Sequence, residues 1–117
     1  MNTKFKNQED AISTIIFSAE QHSIASEEGN YKIANKNYDK IHIAIMYLRN
    51  MNSVDKLYDL LSNEKISVRL AVASYLLSDN PQKAIPILQE IVSSNLPHKS
   101  FTASLVLQEW EKGNLKL

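Results

Sequence analysis

Cysteine is absent from the 117-residue chain. With it go disulfides, thiolate metal sites and thiol nucleophiles. Glycine occurs twice and proline three times. An all-β domain needs a turn every eight to twelve residues or so, usually marked by Gly, Pro, Asn or Asp. Asn is plentiful, but glycine is too scarce to serve a run of hairpins or a phosphate-binding Gly-rich loop. Charge of one sign is lacking as well: 13 basic side chains face 13 acidic ones. Nucleic-acid binding draws most of its affinity from phosphate neutralisation, so the balance counts against that partner, leaving room only for a local patch. No run approaches the roughly 20 apolar residues of a membrane span. The start, Met1 to Lys6, carries two lysines as a signal peptide does. Glu9 and Asp10 then interrupt, and Ile12 to Phe17 is too short and mixed for a secretory core. The expectation is a cytoplasmic protein with no membrane partner.

Apolar residues make up 44 % of the chain, enough for a continuous core. Their spacing predicts an all-α fold of about six helices, forming one domain over residues 1–117. The first helix is expected from Gln8 to Glu28, with Ile12, Ile15, Ile16, Ala19 and Ser23 inward. Gly29-Asn30 stops it. A second helix, Tyr31 to Met51, turns Ala34, Tyr38, Ile41, Ile45 and Leu48 inward, and the short joint makes the pair an antiparallel hairpin. Ser53 is placed as the cap of a third, shorter helix carrying Val54, Leu57, Tyr58, Leu60 and Leu61. After the polar loop Ser62 to Lys65, Ser67 is placed as the cap of a fourth, Val68 to Ser78, with Val68, Val72, Tyr75 and Leu76 inside. Asp79-Asn80-Pro81 is a stop and restart, with proline at the first helical position. The fifth helix runs to about Ser94, burying Ala84, Ile87, Leu88 and Ile91, with Pro86 one turn inside it. Pro97 is placed as the opening of the sixth, which turns Ala103, Val106, Leu107 and Trp110 inward and ends at Gly113.

The later helices look like a weak pairwise repeat, the plan of an α-solenoid. The stretch Val68-Arg69-Leu70-Ala71-Val72-Ala73-Ser74-Tyr75-Leu76-Leu77 resembles the second helix of a HEAT repeat: a Val-Arg pair, two small residues (Val72, Ala73), then a leucine (Leu76). Asn80 to Leu88, with its internal proline, is similar to a HEAT first helix. Asn35 ahead of Tyr38-Asp39-Lys40-Ile41, Ala84 with Leu88, Ala103 with Leu107, and Trp110 before Gly113 resemble, in that order, a family of small bacterial HEAT-like domains of uncharacterised function. The likeness spans roughly Ala19 to Gly113. Some proteins of this sort look like immunity partners of polymorphic and contact-dependent inhibition toxins. The resemblance therefore implies a protein partner, a cognate toxin, and transfers no functional residue. It also implies that Arg69 ties neighbouring loops or helices together.

Catalytic apparatus is hard to find. His22, His42 and His98 lie on separate elements, and none has the histidine or carboxylate spacing of a zinc helix. Asp39, three residues before His42, reads as an ordinary helix-surface pair. No serine sits in a Gly-x-Ser-x-Gly turn. Glu27-Glu28 and Glu109 with Glu111 point in different directions on their helices. The expectation is no enzyme, no metal and no cofactor.

Charge placement says more. The first helix carries Glu9, Asp10, Glu20, Glu27 and Glu28 and no basic residue; the second carries Lys32, Lys36, Lys40 and Arg49 against Asp39 alone. Two readings follow. Opposite signs attract across the hairpin seam, at about 0–1 kcal/mol for each exposed pair. Alternatively the acidic helix docks a basic partner such as a nuclease toxin, with Glu20, Glu27 and Glu28 standing where RNA phosphates would. A third, weaker reading has the lysine stripe touching phosphates. Tyr31, Tyr47 and Phe17 are the aromatics least absorbed by the inner stripes, and become interface candidates if they cluster outside. The expected partner-binding set is Glu20, Glu27, Glu28, Tyr31, Lys32, Lys36, Lys40 and Tyr47. The function expected is steric masking of a toxin by a chain that is monomeric before the complex forms. The alternatives are a structural adaptor or homo-oligomer, and a nucleic-acid-binding HEAT-like protein.

Overall fold

The computed structural model describes residues 5–113; the opening Met1 to Lys4 of the sequence reading lies outside them. Among the described residues there are six α-helices, one short 3-10 turn and no strand. They fall into two compact units, Met1–Leu60 and Leu61–Leu117.

In the first unit α1 (Gln8–Glu27) and α2 (Tyr31–Asn50) pack along their length as an antiparallel hairpin, and the short α3 (Val54–Asp59) rests on α2. Asparagine does the punctuation that glycine and proline usually share. The Asn7 side chain accepts the Asp10 amide at 2.9 Å, and the Asp10 carboxylate accepts the Lys6 amide at 3.1 Å, so the start of α1 is capped and tied to the residue before its cap. At the joint, Gly29 takes φ +75. Its amide donates to the Ser26 carbonyl at 3.1 Å and the Asn30 amide to the Ala25 carbonyl at 2.8 Å. This closes α1 in the left-handed manner that suits glycine. Asn30 then caps α2 by accepting the Ile33 amide. The end of α2 repeats the arrangement without glycine. Asn52 has φ 56, and the Ser53 amide reaches the Leu48 carbonyl at 2.8 Å. Ser53 is therefore no side-chain cap. It is buried, and its hydroxyl donates back to the Met51 carbonyl at 3.3 Å.

The hairpin core differs from the expected stripes in an instructive way. α1 buries Ala11, Ile15, Ser18, Ala19, Ser23 and Ala25, while Ile12 and Ile16 are half-buried. α2 buries Ala34, Asn37, Ile41, Ala44, Ile45 and Leu48. Tyr38, expected inside, stands 47 % exposed, and Asn37 takes the interior place instead. Asn37 tolerates burial because its amide donates to the Ile33 carbonyl at 3.0 Å, one turn back. Helices that meet through Ala, Ser and Asn have no room for a phenol ring between them. Size decides here, ahead of polarity.

In the second unit α5 (Pro81–Ser93) packs on both α4 (Ile66–Leu76) and α6 (Lys99–Glu111), and α4 also meets α6. Val68, Val72, Tyr75 and Leu76 of α4, Ala84, Leu88 and Ile91 of α5 and Ala103 of α6 are buried. Ile87, Val106, Leu107 and Trp110, all expected inside, are half-buried. Lys65, not Ser67, holds the cap position of α4; Ser67 lies in the first turn, buried. The turn ahead of it is set by Asn63, whose side chain accepts the Lys65 amide at 2.9 Å, and Arg69 donates to the Asn63 carbonyl at 2.6 Å. Asn80 caps α5 by accepting the Lys83 amide, with Pro81 at the first helical position. Pro86 lies inside the helix with its ring exposed.

Pro97 precedes α6 by two residues; the work at this joint is done by Ser100. Asn95 takes φ 55 after α5. The amide two residues past the cap, that of Leu96, would normally reach back to the Ile91 carbonyl. Instead it donates to the Ser100 hydroxyl at 2.8 Å, and that hydroxyl donates to Ile91 at 2.6 Å. One side chain thus splices the end of α5 to the start of α6. A Ser100→Ala variant leaves a part-buried amide and carbonyl without this bridge and should lose about 1 kcal/mol of stability in urea denaturation. Gly113, at φ +75, follows the end of α6.

Candidate protein-docking face

α1 buries several small residues beside Ile15 and leaves two large ones outside. Ala11, Ser18 and Ala25, seven residues apart, line the buried side. Phe17 and Ile24, also seven apart, lie on the opposite side, 63 % and 45 % exposed. Burying a Phe or Ile side chain is worth about 1.5–3 kcal/mol, and α1 forgoes most of that at Phe17 and part of it at Ile24 while burying serines. The outward seam reads Ser13, Phe17, Glu20, Ile24, Glu27, in alternating steps of four and three. Those are the steps with which one helix presents a ridge to another. Glu27 is steadied by the Ser23 hydroxyl, which donates to it at 3.2 Å. Glu27 and Glu28 stand at the carbonyl end of α1, with no basic residue in its last turn. There the helix dipole disfavours acids, and the amide end of α2, close behind, offsets part of the cost.

On α2, Tyr31 is 72 % exposed and begins a strip continued by Asn35, Tyr38 and His42. The Tyr38 ring lies 6.3 Å from that of His22 on α1. Of the lysines, Lys32 and Lys36 are exposed and Lys40 is half-buried. The cause is geometric. Each step of four residues overshoots the helical turn by about 40°, so the row winds towards the packed side. Tyr47 is also half-buried, its ring 5.0 Å from that of Phe5, so it serves packing within the hairpin. Glu20 is half-buried, and Glu27 and Glu28 are exposed. Of the expected set, α1 thus gathers the three glutamates with Phe17; Tyr31, Lys32 and Lys36 lie outward on α2, and Lys40 and Tyr47 turn away from solvent.

Ile24 and Ile33, not singled out from sequence, and Tyr38, expected inside, are exposed in addition. The recurrence of small residues at Ala11, Ser18 and Ala25 is a signal in the sequence that marks the inner side and would have placed Ile24 outward. Elsewhere, an open groove of about 450 Å³ lies between α5 and α6 over Val92 and Leu107, edged by Gln89, Ser93, Ser104, Gln108 and Glu111. Among the described residues no group of three His, Asp or Glu stands close enough to hold a metal ion. None of their helices is long and apolar enough to cross a membrane.

No protein-family model matches the chain, and no curated protein matches its sequence. A solved structure does match in fold. It is the crystal structure of the protein RPA1889 from Rhodopseudomonas palustris CGA009. The TM-score is 0.81 at 20 % identity, covering 96 % of this chain and 94 % of that one. Likeness at this level of identity carries the all-helical fold and says nothing of activity.

Proposed function

We propose that the chain is a HEAT-like, protein-binding immunity factor that neutralises a cognate bacterial toxin by covering the toxin's active or substrate-docking surface. The observation that supports it most is the outer side of α1, with Phe17 and Ile24 exposed on a helix whose charged side chains are all acidic. Aromatic side chains are enriched among the anchors of protein interfaces. Acidic neighbours suit a basic target such as a nuclease, steering encounter and choosing the partner. Masking needs no catalytic group of its own. The test is direct. The chain should bind the protein encoded immediately upstream and protect cells that produce it. No complex at micromolar concentration, together with no protection, removes the proposal.

A second reading, a structural adaptor or homo-oligomer, is favoured by α6. Its outer side carries Phe101 at 61 % and Leu105 at 42 % exposure, one turn apart. Light scattering separates the two: the immunity reading expects a monomer in the absence of its target, the adaptor reading a larger species.

A further inference from the structure

We propose that the outward seam of α1 receives one helix of the partner, carrying apolar residues a heptad apart with lysine or arginine between them. The inference rests on the protein-binding reading above and deepens it. Its argument is complementarity of spacing and of charge. Phe17 and Ile24 occupy equivalent positions of successive heptads, so a helix laid along the ridge must offer its own apolar side chains at the same interval. Glu20 and Glu27 take the alternate positions of the seam, and Glu28 flanks it. An apolar partner residue opposite Glu20 or Glu27 would strip a carboxylate of water without return, and an acidic one would add repulsion. A long basic side chain meets both demands: its stem covers Phe17 or Ile24, and its head reaches the carboxylate. α1 itself carries no lysine or arginine that would repel it. The basic residues Lys32 and Lys36 sit on the neighbouring helix, where they limit how far a basic partner helix extends across the hairpin.

Two synthetic amphipathic helices test this against the isotope-labelled full chain by NMR. One carries leucines at heptad spacing with lysine between them; the other has glutamate in place of every lysine. The lysine peptide should shift the amides of residues 13–28, and the glutamate peptide should not. A Phe17→Ala/Ile24→Ala double variant should bind the lysine peptide about tenfold or more weakly. Both side chains are exposed, so its own spectrum should keep the native dispersion. A Glu20→Lys/Glu27→Lys variant should exchange the preference and take the glutamate peptide. Shifts centred elsewhere, such as Phe101 and Leu105, equal responses to both peptides, or no exchange of preference would each overturn the inference. The two proposals fail separately. If the upstream protein binds and the α1 variants bind it unchanged, the seam is wrong and the function stands. If the peptides behave as expected while the upstream protein neither binds nor is neutralised, the function is wrong and the seam stands.

Discussion

Replacing Ile45 with alanine is expected to cost about 2–5 kcal/mol of folding stability. The same truncation at Ile24 should cost no more than about 0.5 kcal/mol. The chemistry removed is identical, and only the surroundings differ. Ile45 is fully buried in the hairpin and leaves a cavity, while Ile24 is 45 % exposed and leaves a space open to solvent. Against a total of about 5–15 kcal/mol for a domain of ordinary stability, the Ile45 variant gives up a large share. Urea denaturation with a common slope reads both values. A loss at Ile24 as large as at Ile45 would mean that a partner copy covers it in solution. That loss would depend on protein concentration, which favours the adaptor reading over the immunity one.

The comparison also marks what was legible in the residues themselves. Helix ends were, because they are written in local chemistry: Asn30, Asn80, Gly29 and Gly113 each act within a turn of their own position. Ser53 holds the cap position of α3 without a side-chain cap bond, and Lys65 holds that of α4 in place of Ser67. Asn52 bends the chain through the left-handed region, and Asn63 fixes the turn before α4. A chain with two glycines must find its left-handed positions elsewhere, and asparagine is the side chain that tolerates them best.

Helix faces were legible in part. Val68, Val72, Tyr75 and Leu76 were placed correctly, as were Ala84, Leu88 and Ile91. On α1, Ile15, Ala19 and Ser23 were placed correctly and Ile12 and Ile16 are half-buried; apolar residues go all the way round this helix, so periodicity of hydrophobicity did not show that Ile24 stands outside. Tyr38 and Asn37 show the same thing from the other helix: the interior position went to the side chain that fits and can satisfy itself. The candidate site was half legible for a related reason. Charge asymmetry between α1 and α2 is a property of sequence and could be read directly. Exposure of Ile24 and the withdrawal of Lys40 and Tyr47 depend on which way each helix turns, and that is settled by packing between helices.

The second large effect concerns binding. If the proposed function holds, truncating Phe17 to alanine should weaken capture of the protein encoded upstream by about thirtyfold, the scale of an aromatic hot spot, and abolish protection of cells at ordinary expression levels. Tyr31→Ala should do less, since it lies on the neighbouring helix at the hairpin's end. Lysine provides the discriminating sign. Reversing Lys32 and Lys36 to glutamate extends the acidic face onto α2, so a basic partner should associate faster and the gain should shrink as salt is raised. A nucleic-acid-binding protein would respond in the opposite direction, because the same change removes its phosphate contacts and lowers the salt dependence of its affinity. Surface lysines far from the core leave stability within about 0.5 kcal/mol, so the rate measured by stopped flow speaks for the interface alone. Faster association on charge reversal, with the Phe17 variant weakened, fits only a basic protein seated on α1. Slower association would place the partner's acidic surface on α2 and turn the docking face round to the lysines.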